Sequence, residues 1–348
     1  MAKKPASDAA FDKLKFDLRN KTPEHLYFFH GEEDYLRTHY LNLLRETVLS
    51  DPAEDFNLHR FDAQTMRLTA FSDALDAIPM MAEASFVQVD DVDPYQLNAD
   101  DRQKMAALLS DIPDYCYVVF VFDTIPWKPD RRMKTLTTAI SQHAQVVEFA
   151  RQSEQMLMSW VARHFDSFGK KIAPELCRYL IVQCGAQMTS MVSEISKIAA
   201  FSSAPVISKA DIDAVVEPVL DAVVFQLTDA IAADSYGKAL EILRALCKMQ
   251  QEPILILGAI GSQLRRAAAA RELSSHGRGA DALMKLYGMG SYPAQKAFAF
   301  ARRVPKPFFA RALPACAEAD FQMKTSFDDP ERILELLILR LAQEAAHD

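Results

Sequence analysis

Along the first 150 residues, short runs of β-branched and aromatic residues alternate with longer segments whose apolar positions recur every three or four residues. That alternation predicts a parallel sheet flanked by crossover helices. The expected strands are "LYFFHG" (26–31), "NLHRFD" (57–62), "SFVQVDD" (85–91), "CYVVFVFD" (116–123) and "AQVVEFA" (144–150). Between them, "YLRTHYLNLLRETVL" sets Leu36, Tyr40, Leu44 and Val48 along one stripe, and "DDRQKMAALLSDI" and "RRMKTLTTAIS" supply two more helices. Five strands with such crossovers make one doubly wound domain, 1–150.

After Phe149 the strand signal stops and helical spacing takes over. "SEQMLMSWVARHF", with Trp160, His164 and Phe168 in helical register, is followed by "APELCRYLIVQCG" and "MTSMVSEISKIAAF". Pro174 suits a first turn and Gly185 a C-cap. These helices predict a small three-helix domain, 151–208, that ends in the linker "SSAPVIS". From 209 to 348 the chain reads as a third, all-helical domain, broken at Glu252-Pro253, "SSHGRGAD" and "SFDDP".

An apolar fraction of 50 % with only 10 glycines in 348 residues fits a soluble, helix-rich protein and leaves little room for disorder. The start, "MAKKPASDAAFDKLK", lacks the apolar stretch of a signal peptide, and no run reaches the roughly 18 apolar residues of a membrane span. A cytoplasmic location without membrane contact is therefore expected. The five cysteines, Cys116, Cys177, Cys184, Cys247 and Cys316, have no Cys-x-x-Cys spacing, so buried free thiols are expected rather than a metal site. Net charge is −8, but unevenly spread. Residues 258–311 hold ten bases and two acids, or +8, which leaves −16 on the remainder. One basic face on an acidic body is the physical implication.

Counted from Gly31, "GEEDYLRT" has the length of a phosphate-binding loop. The second glycine place holds Leu36, the Lys place Arg37, and only Thr38 fits. Glu32, Glu33 and Asp34 would put three carboxylates where a triphosphate belongs, so no nucleotide is expected there. Asp90 and Asp91 end the third strand, where a nucleotide hydrolase would keep Mg²⁺-binding carboxylates; without phosphates they read as solvated strand-end groups. No serine-hydrolase elbow, zinc-protease motif or dinucleotide fingerprint occurs, and the eight histidines are scattered. No cofactor, metal or catalytic residue is assigned.

Two surface features are sharper. In "DALDAIPMMAEASFVQV", Phe71, Leu75 and Ile78 make a helical stripe that Pro79 ends. Met80 and Met81 follow in a turn. Adjacent residues cannot both face one core in regular structure, so at least one is expected to be exposed. Two polarizable side chains on a loop suit a partner's apolar pocket, and the alternative is that both tuck under the sheet. In the basic segment, Arg265, Arg266, Lys296, Arg302 and Arg303 with Tyr287 and Tyr292 can track a nucleic-acid backbone and stack on a base, or form a solvated helix face.

Several of these stretches taken together resemble a known family. "LYFFHGEEDYLRTHYLNLL", "RFDAQTM", "LDAIPMMAEASFVQVDD", "VSEISKIAAF", "AVVFQLTDAIAADSYGKALEILRALCKMQQEPILILGAIGSQLRR", "GMGSYPAQKAFAFARR" and "DDPERILELLILRL" are similar, in this order, to the delta subunits of the bacterial DNA polymerase III clamp loader. The resemblance implies a P-loop-NTPase-like (AAA+) α/β domain, a three-helix lid and a helical collar that oligomerises. It implies a subunit that does not use ATP, in keeping with the altered loop at 31–38 and with Met188 where ATP-using lids resemble Gly-x-x-Arg. It further implies binding to the beta sliding clamp through an apolar pair that Met80 and Met81 match, opening of the ring for primed DNA, and assembly with gamma/tau and delta prime subunits through the collar. Two other readings stand beside it: an ATPase using Arg37, Thr38 and Asp90, and a helical adaptor with an incidental basic face.

Overall fold

The computed structural model describes residues 6–49, 54–233 and 235–346. They fall into two compact units, 1–152 and 153–348. In the first, α1 (Ala6–Asn20) precedes β1 (Leu26–His30), α2 (Asp34–Val48), α3 (Glu54–Asn57), β2 (Leu58–Phe61), α4 (Leu68–Asp76), β3 (Ser85–Asp90), α5 (Ala99–Ser110), β4 (Cys116–Val121), α6 (Lys134–His143) and β5 (Gln145–Glu148). The five strands are parallel in the order β2-β3-β4-β1-β5, with helices between them, as the alternation in the sequence predicts.

Because side chains alternate across a strand, neighbouring β1 residues serve opposite cores. Phe28 faces one of them, stacked on Phe120 at 4.6 Å between ring centroids, with Phe71 and Leu75 of α4, Met105 of α5 and Ile140 of α6 around it. Tyr27 and Phe29 face the other, against Leu14 and Leu18 of α1 and Leu41 and Leu44 of α2. The buried face of α2 therefore runs through Arg37, Leu41 and Leu44. The expected stripe Leu36, Tyr40, Leu44 and Val48 lies one residue off, with Leu36, Tyr40 and Val48 only partly buried at the core's edge.

The second unit is helical apart from an isolated bridge pairing Lys171 with Val206. It starts with α7 (Glu154–Ser167), α8 (Pro174–Cys184), α9 (Met188–Phe201) and α10 (Lys209–Val215). Pro174 opens α8 and Gly185 ends it with φ +76°. The core side of α7 is Leu157, Val161 and Phe165; Trp160, His164 and Phe168 instead stack along a more exposed flank. The stretch 202–208 is more than a tether, since Ile207 is buried and its N–H donates to the Lys171 carbonyl at 2.8 Å. There follow α11 (Leu220–Ala232), α12 (Tyr236–Lys248), α13 (Pro253–Ser275), α14 (Ala280–Tyr287), α15 (Ser291–Arg303), α16 (Phe308–Thr325) and α17 (Pro330–Ala346). Their shared core includes Leu227, Leu243, Ile260, Leu264, Phe308, Leu334 and Ile338. Glu154 at the start of α7 accepts from Arg178 Nε at 2.8 Å and from the Ser291 backbone N–H and hydroxyl at 2.5 and 2.8 Å, which ties α7, α8 and α15 together. Among the described residues no helix is long and apolar enough to cross a membrane.

Candidate functional site

The connection from β1 to α2 is where a phosphate loop would sit, and here it is only three residues long. Gly31, Glu32 and Glu33 separate His30 from the first turn at Asp34. Leu36, Arg37 and Thr38 thus belong to the helix, and the eight-residue spacing counted from Gly31 does not describe an eight-residue loop. Gly31 has φ +125°, and a Cβ on it would lie 2.3 Å from the Phe149 carbonyl oxygen. Glu33 is buried and its N–H donates to that carbonyl at 2.9 Å. Burial, with the Asp34 carboxylate beside it, pushes the Glu33 carboxyl above its usual range. Glu32 lies outside, paired with Arg151 at 2.7 Å. Arg37, 2 % exposed, donates to the Gly31 carbonyl at 2.6 Å and to Asp34 at 2.9 Å, and also pairs with Asp123. Its guanidinium is engaged by three groups of the protein itself, while Thr38 is exposed.

The two strand-end carboxylates differ. Asp90 accepts both its bonds from Gln88 Nε2 at 2.9 Å, and burial raises its pKa. Asp91, at φ +53°, accepts from the backbone N–H groups of Asp123 and Thr124 at 2.8 and 2.9 Å and from the Thr124 hydroxyl at 2.6 Å. Partial burial opposes ionisation of Asp91, but the Thr124 hydroxyl and those N–H groups outweigh it, so its carboxyl sits below the ordinary range. Asp91 is a loop cap, not the solvated group its sequence position implies.

At the opposite extreme of burial lie Met80 and Met81. The helix α4 stops at Asp76, two residues before Ile78, which turns outward and is 84 % exposed. Phe71 and Leu75 are buried as expected, but Ile78 leaves their stripe. Met80 is 58 % and Met81 88 % exposed, so neither tucks under the sheet. Asn57, at the end of α3 and 2 % exposed, brackets the Met80 backbone with two hydrogen bonds, accepting from its N–H at 2.7 Å and donating to its carbonyl at 2.9 Å. The sequence carries no short-range signal for this contact, because 23 residues separate its partners. Phe56, the neighbour of Asn57, is itself 69 % exposed.

The basic segment 258–311 spans α13 to the start of α16, and much of its charge is consumed internally. Arg271 donates to the carbonyls of Ala301, Val304 and Pro305 at the end of α15 and lies over the Phe309 ring. Lys296 pairs with Asp229 at 2.6 Å and Arg303 reaches the same carboxylate at 3.8 Å. Partial burial works against the charge of Lys296, but its bond to Asp229 outweighs it and raises the pKa. Arg266 is half-buried, with its Nε lacking a partner. Arg265, Arg302 and Tyr287 are exposed, and among the described residues no carboxylate forms an ion pair with Arg265 or Arg302. Met188, at the start of α9, is buried in the core of its own helices. Burial likewise pushes the thiols of Cys116, Cys177 and Cys316 to about 11 and Cys184 to about 12, which keeps them in the unreactive protonated form.

Comparison with known proteins adds identity to this geometry. The family profile described as "DNA polymerase III, delta subunit" matches residues 27–150, and that of the "DNA polymerase III delta subunit, C-terminal domain" matches 221–341. The chain is 26 % identical over 339 residues to DNA polymerase III subunit delta of Bacillus subtilis (strain 168), covering 95 % of this chain and 96 % of that one. It is 20 % identical to the probable DNA polymerase III subunit delta of Aquifex aeolicus (strain VF5), over 92 % of each. The solved Bacillus subtilis DNA clamp loader delta protein shares the fold, with a TM-score of 0.62 and 23 % identity over 96 % of this chain and 99 % of that one. With two profiles of one family matched in order over more than two thirds of its 348 residues, the chain belongs to the DNA polymerase III delta subunit family.

Proposed function

We propose that this chain is the clamp-loader subunit that docks on the beta sliding clamp through Met80 and Met81 and opens its ring for loading onto primed DNA, without binding ATP itself. The observation that carries the reading is the presentation of two adjacent thioether side chains on a pinned surface loop. Unbranched and polarizable, they suit an apolar pocket on a partner. Ile78 beside them widens the apolar contact.

The absence of a nucleotide role is supported by the β1–α2 connection, where Arg37 is already satisfied and Glu33 occupies buried space. Residues 151–208 act as the lid and 209–348 as the collar that meets gamma/tau and delta prime neighbours. DNA contact within the assembled loader belongs to the same proposal, over the surface that holds Arg265, Arg266, Tyr287, Lys296, Arg302 and Arg303, as does a place in the cytoplasm.

Gel filtration with purified beta sliding clamp tests the docking. A stable complex is expected, and Met80→Ala with Met81→Ala is expected to weaken it roughly 100-fold, as removal of two central anchors does. A complex indifferent to both substitutions would remove the docking role from these residues. Tight Mg-ATP binding, read as a rise in melting temperature with nucleotide, would instead favour an ATPase.

A further inference from the structure

We infer that Asn57 is a positioning residue that holds the Met80–Met81 pair in its clamp-ready geometry, an inference that rests on the docking reading above. Its side-chain amide does the work of a backbone partner in a sheet. One end donates to the Met80 carbonyl at 2.9 Å, and the other accepts the Met80 N–H at 2.7 Å. Among the described residues no other hydrogen bond holds 79–83. Asn57 is itself 2 % exposed and sits where α3 runs directly into β2.

The next residue shows why such a clamp is needed. Met81 has φ +54°, a left-handed conformation that is unfavourable for a side-chain-bearing residue and persists only where its surroundings enforce it. Met81 is 88 % exposed, so its own side chain contributes almost no packing to hold that angle. The two bonds to Met80 fix the residue immediately before the turn and thereby aim Met81 outward. A loop already ordered in its bound shape avoids an ordering cost on docking. Deleting Asn57 therefore returns that cost to the binding step, with both methionines still present.

The test titrates purified sliding clamp against wild type, Asn57→Ala and Asn57→Asp, each also in the Met80→Ala/Met81→Ala background. It also follows hydrogen exchange of the Met80 amide. Asn57→Asp keeps the shape and the bond from Met80 N–H but sets a second acceptor against the Met80 carbonyl, so it breaks half the bracket even if the alanine variant folds poorly. Either variant is expected to raise the Kd roughly tenfold, the equivalent of one to two hydrogen bonds, and to speed exchange at Met80. In the Met80→Ala/Met81→Ala background, adding Asn57→Ala is expected to change the Kd no further. Wild-type affinity in both Asn57 variants, or an equal loss in both backgrounds, would overturn the inference while leaving the docking reading intact. Indifference of the clamp to Met80→Ala/Met81→Ala would overturn that reading and this inference with it.

Discussion

Arg37 is a cation placed where the phosphate-loop fold has its Lys, yet its three partners are all protein groups. A buried guanidinium is tolerated only when its donors are matched, and removal of the cation strands the acceptors that matched it. Arg37→Ala leaves the Gly31 carbonyl unmatched and Asp34 and Asp123 side by side. A loss of about 2–3 kcal/mol in urea-unfolding stability is expected, with Arg37→Lys recovering part of it because a point charge replaces the planar fork. Asp91 offers a pH test at the same scale. Its folded pKa lies below the ordinary aspartate range, so its contribution is fully present above that range and is lost as pH falls through the lower, folded value. Wild type is expected to lose stability more steeply than Asp91→Asn below about pH 4, and parallel profiles in denaturant melts from pH 5 to pH 2 would contradict this.

Gly31 shows how one residue governs the packing of elements. Its φ of +125° lets β1 turn against the end of β5, where a Cβ would meet the Phe149 backbone at 2.3 to 2.7 Å. Backbone cannot rotate away as a flexible side chain can. Gly31→Ala is expected to cost about 2–4 kcal/mol and to lower the thermal midpoint, as strain at a special φ together with a steric clash does. What the sequence shows at this scale follows from the reach of each signal. The inner strands β1, β3 and β4 are legible because a parallel strand buried on both faces is a short apolar run that needs no partner to identify it, whereas the half-exposed edge strands β2 and β5 show only in the alternation of strand and helix segments. The α2 face is legible to within one residue, since Leu36 and Leu41 are equally apolar and the displaced position is held by Arg37, a residue type that pattern reading assigns to solvent. Ile78 departs from its stripe because α4 ends at Asp76, before Pro79 requires it. The exposure of Met80 and Met81 is half legible: adjacency argues that one must face outward, but the bracket from Asn57 that holds the loop is a long-range contact with no periodicity to betray it.

At the scale of the whole molecule the charge is divided along the chain, with +8 on residues 258–311 and −16 elsewhere. Sequence counting overstates the part of that charge open to a polyanion. Arg271 caps α15, Lys296 and Arg303 share Asp229, and Arg311 pairs with Glu344 at 2.7 Å. Arg265 and Arg302 remain exposed and without an acidic partner among the described residues. The two groups separate in a salt titration of DNA binding by the assembled loader. Each phosphate neutralised adds about 0.9 to the slope of log K against log salt on duplex DNA. If Arg265 and Arg302 each meet one phosphate, their joint replacement by Ala lowers that slope by about 2 and weakens binding to all sequences alike. Arg271→Ala, by contrast, is expected to leave the slope unchanged and to lower the melting temperature, because its donors serve the Ala301, Val304 and Pro305 carbonyls and no phosphate. An unchanged slope for the Arg265/Arg302 pair would remove these two cations from the proposed DNA contact.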